Sequence, residues 1–272
     1  MANSIPNNAF PDKGNWTSYQ LKLAFYLYCQ LPFGKLTHSN KEIIRLAELI
    51  HRTPSSVAMK LCNFASLDPA IRNSGRKGLE GASRADRETW ELFHDNWVLL
   101  AKECESLLTL LTQGKPFLGK DSKGKEVKFL LNDFKGKTRK ALVYQRLNQS
   151  FFRRAVLASY GGACCISGLT ETNLLVASHI VPWSKDEENR LNPSNGLLLS
   201  AIHDKAFDQG LMTLSSGFEI ILSKKLRDTT NELLKRVFLD FEGKVIRKPE
   251  RFIPRTDFLD YHRNHVFEKL PT

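Results

Sequence analysis

A chain of 272 residues is long enough for about two domains with real cores, and its 42% apolar and 25% charged residues are a globular mix. No apolar run reaches the eighteen residues of a membrane span, and the opening MANSIPNNAFPDKGNW lacks the apolar stretch of a signal peptide, so a cytoplasmic protein without a membrane partner is expected. The net charge of +11 suits a polyanion ligand, because Lys and Arg contacts to phosphate supply most non-specific affinity for nucleic acid.

Taken in order, the first signals are helical. Thr17 with Gln20 spells a capping box, and Leu21, Phe25 and Tyr28 recur on one face until Pro32 and Gly34 end the run. A second helix starts near Ser39-Asn40, with Ile43, Leu46, Ala47 and Ile50 at helical spacing. After the turn at His51-Arg52, Thr53 followed by Pro54 is a start signal for a third. That helix carries Val57, Leu61 and Phe64 on one face and Ser56, Lys60 and Asn63 on another. Two helices, a short turn and a polar face on the second predict a helix-turn-helix of winged-helix-like character; an ordinary three-helix interaction module is the competing reading. Arg52, Ser55, Ser56, Lys60 and Asn63 are then the DNA-reading candidates. Arg76 and Lys77 join them from RNSGRKG (72–78), read as a wing, a backbone clamp or a solvated loop.

Ser83 and Asp86 cap what reads as one long helix to about Leu111, whose stripe of Trp90, Phe93, Trp97, Leu100, Cys104, Leu108 and Leu111 suits a core or a dimer seam. Residues 112–140 change texture: nine Lys or Arg against three acids, with glycines between, predict a basic linker that tracks the DNA backbone or is merely solvated. The expected domains are thus 1–111, helical and DNA-recognising, then the linker, then 141–272. Helical periodicity resumes from Gln145 to Tyr160, where Arg146, Arg153 and Arg154 are candidate phosphate contacts.

The densest chemistry lies between Cys164 and Asp208. The apolar run Leu174–Ala177 reads as a buried strand ending at Ser178-His179; Asn195 falls among turn formers, Asn192-Pro193-Ser194-Asn195-Gly196; His203 follows in an apolar segment of helical length beginning at Leu197. The wording SHIVPW, NPSNGLLL, HDKAFD resembles the HNH nucleases, in particular HNH domains of restriction-type endonucleases, over roughly residues 140–270. RTPSSVAMKLCNFASLDP resembles the N-terminal helix-turn-helix of the same enzymes. The resemblance implies an α+β chain: an all-helical recognition domain, then a ββα-metal nuclease domain holding one divalent cation, Mg²⁺ or Mn²⁺. It implies His179 as general base, His203 as metal ligand and Asn195 as the residue that holds the loop. Many members place Asp before the base; here stands Ser178, so Ser178 and Asp208 are the further candidate ligands, with Asp204 an alternative to Asp208. Five cysteines at 29, 62, 104, 164 and 165 form no Cys-x-x-Cys pair, so neither a disulfide framework nor a structural zinc site is expected.

Downstream, Met212–Leu214 and Phe218–Leu222 predict a hairpin and Val237–Phe241 a strand; His262 and His265 near the end read as packing or DNA-facing residues. The expected function is metal-dependent hydrolysis of double-stranded DNA by a homodimeric restriction enzyme, with modified cytosine an open substrate alternative. A nicking or homing nuclease is the nearest competitor; from another class, a transcriptional regulator with an inactive HNH fold fits the Ser178 departure.

Overall fold

The computed structural model describes residues 9–94, 96–112 and 150–268. The chain forms two units, Met1–Ala158 and Ser159–Thr272. The basic stretch over 113–140 and Arg146 lie outside the described residues.

Among the described residues the first unit is built of helices without a strand: α1 (Ser18–Gln30), α2 (Lys41–Leu49), α3 (Pro54–Leu67), the short α4 (Pro69–Asn73), α5 (Arg84–Phe93), α6 (Trp97–Leu111) and α7 (150–159). The stretch 72–78, considered as a wing, is the end of α4 and the loop that follows it. Each expected start signal is used: Thr17 and Gln20 form a reciprocal capping box on α1, Thr53 caps α3 behind Pro54, and Ser83 with Asp86 boxes α5. Such caps are each worth about 1 kcal/mol. Phe25, fully buried, is the hub, with Phe64, Trp90 and Trp97 around it at ring-centroid distances of 5.1, 5.5 and 6.4 Å.

The long helix expected from Ser83 to Leu111 is two helices. The Asn96 side chain accepts from Leu99 N–H at 3.2 Å and restarts the backbone as an N-cap, while the apolar stripe continues across the break as core. The first unit also reaches beyond residue 140, because Phe151 on α7 is buried in it, 5.0 Å from the Tyr26 ring.

Among the described residues, the second unit holds two antiparallel ribbons and four further α-helices. Strands β1 (Leu175–His179) and β2 (Gly196–Ser200) pair with Ser178 opposite Leu197 and His179 opposite Gly196. The strand β2 occupies residues expected to be helical, and α8 (Ala201–Asp208) begins only where Ser200 caps it. Strands β3 (Met212–Leu214) and β4 (Ile220–Leu222) form the expected hairpin. Helices α9 (Lys224–Arg227) and α10 (Glu232–Val237) follow. The strand expected over Val237–Phe241 is instead the end of α10 and a 3-10 turn, Leu239–Phe241. Helix α11 (Thr256–His265) closes the unit. Gly210 permits that closure: its φ is +64°, and an added Cβ would lie 2.2 Å from the Val266 carbonyl oxygen.

His262 on α11 is buried, stacked on Phe207; its Nε2–H donates to the Phe207 carbonyl and its Nδ1 accepts from Thr213. His265 stacks on Tyr261. His262 is a packing residue, whereas His265 stays exposed on the helix. The five cysteines are free thiols; Cys29, Cys104, Cys164 and Cys165 are buried and Cys62 is half-buried. Among the described residues no helix is long and apolar enough to cross a membrane.

Candidate functional site

The antiparallel pair β1–β2 with α8 packed on both strands makes a ββα unit, and the loop over 180–195 connects the strands. That loop is knitted by amides. Asn195 is completely buried; its Oδ1 accepts from Val181 N–H at 2.8 Å, and its Nδ2 donates to the carbonyls of Val181 at 3.2 Å and Asn189 at 3.3 Å. Asn189 is held in turn by Asp186 and by Asn192. An apolar residue at 195 would leave the Val181 N–H and carbonyl without this partner, each costing about 1–3 kcal/mol.

His179, the last residue of β1, points its Nε2 at the carbonyl of Arg190, 2.9 Å away. A carbonyl only accepts, so the proton sits on Nε2 and the ring's lone pair on Nδ1. Trp183 meets the imidazole edge-on at 5.4 Å, and the Arg190 guanidinium lies over the same indole at 5.1 Å. Burial pushes the His179 pKa below its ordinary value, against an upward pull from the Arg190 carbonyl. The ring is thus neutral at physiological pH.

Ser178 faces α8. Its hydroxyl is buried and makes no hydrogen bond of ordinary geometry among the described residues, yet it lies beside Asp204. The Asp204 pKa is raised by burial, with Ser178 and Lys205 pulling down; Asp208, one turn on, is raised to about 6 by burial and then by the charge of Asp204. Half-buried Asp204, exposed Asp208 and the Ser178 hydroxyl beside Asp204 are oxygen donors of the kind a hard divalent cation takes, though among the described residues no cluster of three His, Cys, Asp or Glu side chains forms a metal site.

The other predicted ligand is placed differently. His203 is 2% exposed in the first turn of α8, and both ring nitrogens have protein partners. Its Nε2–H donates to the Val237 carbonyl at 2.9 Å, its Nδ1 accepts from the Ser200 hydroxyl at 2.7 Å, and Phe238 and Phe241 meet the ring edge-on. Cys164 Sγ lies 3.8 Å from the same Nδ1 and accepts from the N–H groups of Ser200 at 3.2 Å and Ser167 at 3.5 Å. Burial pushes the Cys164 thiol up, while hydrogen bonds to its sulfur, the Ser167 N–H among them, pull it down.

Residues 164–215 match the model of the HNH endonuclease family. That match supports an HNH nuclease domain in this segment and suggests a nuclease that acts on DNA. No curated protein matches the chain. Within the HNH segment, the loop residues Trp183 and Arg190 were not among the sequence candidates. Nothing at their positions signals that a carbonyl and an indole will orient the base. Asp204 was visible as one of two carboxylates four apart; its proximity to Ser178 needed the packing of α8.

The DNA-reading candidates of the first unit are scattered. Lys60 is buried, its Nζ bonded to both oxygens of Asp86 at 2.9 and 3.0 Å. Arg52 donates to the carbonyls of Gly14 and Asn15 and to Gln20, so it fastens the N-terminal segment. Asn63 donates to Gly81 at 3.4 Å, and Arg154 pairs with Glu42 at 3.3 Å. Arg153 is half-buried and Ser56 half-exposed, with its N–H donated to Thr53. Ser55, Arg76 and Lys77 are exposed, Arg76 lying 5.7 Å from the Phe33 ring.

Proposed function

We propose that this chain is a divalent-cation-dependent endodeoxyribonuclease, with His179 as general base and Asp204, Asp208 and Ser178 as the cation's protein donors. The observations that carry the reading are the His179 ring held by the Arg190 carbonyl at the end of β1 and the Ser178 hydroxyl beside Asp204 on α8. A cation held there supplies charge neutralisation on the scissile phosphate and help for the leaving oxygen.

The chain's own residues do the rest. His179 Nδ1 accepts the proton of the attacking water while Arg190 keeps the opposite edge of the ring fixed. Asn195 holds both ends of the loop, so that the base and its orienting carbonyl keep their relation. His203 serves as a rivet that fastens α8 to the chain at Val237, and thereby sets the direction of Asp204 and Asp208. The substrate we infer is foreign double-stranded DNA, with modified cytosine a variant of it. Two symmetry-related copies would supply one active site per strand.

Plasmid cleavage with Mg²⁺ or Mn²⁺, on unmodified, methylated and hydroxymethylated DNA, tests this reading. Linear product from wild type and none from His179→Ala supports it; no cleavage of any substrate, with tight binding retained, favours the DNA-binding regulator that Ser178 allows.

A further inference from the structure

The first unit carries a groove of about 830 Å³ that no expected reading residue on α3 enters. It lies between the C-terminal end of α3, the helix α4, the loop over 74–82 and α5. Arg72, Arg76, Lys77 and Arg87 line it with Trp90 as its one aromatic wall; Glu80 and Glu91 are its acids, so cations outnumber acids there. Arg72, Lys77 and Arg87 are exposed and Trp90 is half-buried. The volume lies within the roughly 300–1,000 Å³ of ligand pockets, enough for a nucleotide unit of a strand.

The groove is a built feature. Its loop wall is fastened to α3: Leu79 N–H donates to the Cys62 carbonyl at 3.3 Å, and Asn63 holds Gly81. Gly78 makes the contact possible, since an added Cβ would lie 2.3 Å from Ser66 N and 2.6 Å from the Cys62 carbonyl oxygen. On the other wall, Asp86 fixes α5 to α3 through the buried Lys60. Cations on a fixed frame around an indole are what the backbone and one stacked face of a nucleic-acid strand require.

We propose that this groove is the DNA-backbone site of the first unit: Arg72, Arg87 and Lys77 take phosphates, and Trp90 gives a flat surface to a sugar or base. The proposal takes from the preceding reading only that the ligand is DNA. It shifts recognition away from α3, where Lys60 and Asn63 are committed to the frame itself.

The test is anisotropy of a labelled duplex titrated with the full chain at several salt concentrations. Arg72→Ala/Arg87→Ala is compared with Arg84→Ala/Lys102→Ala, which removes equal charge from α5 and α6 outside the groove. The groove variant is expected to weaken binding about tenfold and to flatten the log K against log salt plot by about 2, since each phosphate contact contributes about 0.9. The control stays near wild type. Equal effects of the two variants, or none from the first, overturn the proposal. So does tight binding of a free mononucleotide that leaves duplex binding unchanged, which would identify a small nucleotide as occupant. Far-UV circular dichroism checks that both variants fold. The cleavage assay separates the two readings: a wild type that binds through the groove but does not cut leaves this inference standing without the nuclease. A chain that cuts but binds normally without Arg72 and Arg87 does the reverse.

Discussion

At position 179 the side chain's chemistry is decided by its neighbour's backbone. Because Arg190 offers a carbonyl, the imidazole keeps its proton on Nε2 and presents a lone pair on Nδ1. His179→Ala is expected to lower the cleavage rate at least a hundredfold with duplex affinity unchanged, as measured by single-turnover assay and anisotropy; general-base contributions are typically about 10²–10⁴-fold. The cation donors separate by a different measurement. Asp208→Asn should weaken Mn²⁺ uptake in calorimetry at least tenfold, whereas His203→Gln should leave uptake near wild type and lower the melting temperature, because its two hydrogen bonds are to Val237 and Ser200. Loss of Mn²⁺ binding in the His203 variant would restore that residue to the ligand set. Lys60 makes the same point about burial. Removing one partner of a buried pair costs about 3–5 kcal/mol, so Lys60→Ala should appear in denaturant unfolding as lost stability before any change in DNA affinity is seen.

At the scale of elements, much was legible in the sequence, and the misses share a cause. Capping boxes at Thr17 and Ser83, the Thr53-Pro54 start and the hairpin after Met212 are local signals satisfied within a few residues, so they survive folding unchanged. The break between α5 and α6 was missed because Asn96 caps a helix inside an unbroken apolar stripe, and periodicity does not register a change of direction. Asn96→Ala is expected to cost about 1 kcal/mol, read by urea denaturation, as loss of an N-cap does elsewhere. Over Leu197–Ser200 a short apolar run has no period of its own and suits helix or strand alike; its pairing with β1 decides for strand. In the site, His179 and Asn195 are readable from their wording, while the roles of Asp204 and Arg190 depend on which side of α8 meets Ser178 and where a loop carbonyl ends.

For the whole molecule, the two units carry opposite proton linkage. In the first, the buried Glu105 is held at about 8 by desolvation, against the Tyr26 hydrogen bond at 2.7 Å and the charge of Arg154. Its folded value is raised above the ordinary 4.5, so the folded state binds the extra proton between those values. Its contribution is full below about 4.5 and is lost as pH rises toward 8. In the second, burial first and Arg263 next, against the Phe207 carbonyl, lower His262 to about 4. That contribution is present above about 6.5 and lost as pH falls toward 4. Thermal scans across pH are expected to show the two transitions moving in opposite directions. Glu105→Gln, which keeps an acceptor for Tyr26, should flatten the first without touching the second.

The burial of the thiols turns the chain into its own clock. Cys29 and Cys104 report from the first unit and Cys164 and Cys165 from the second, and a thiol reagent reaches them only when the packing around them opens. Mass spectrometry of alkylated peptides after timed exposure therefore gives two opening rates from one sample. Cys62, half-buried, marks the fast limit. A DNA ligand that engages one unit alone would slow labelling at that unit's cysteines and leave the other pair's pace unaltered, so occupancy becomes visible as a difference in time.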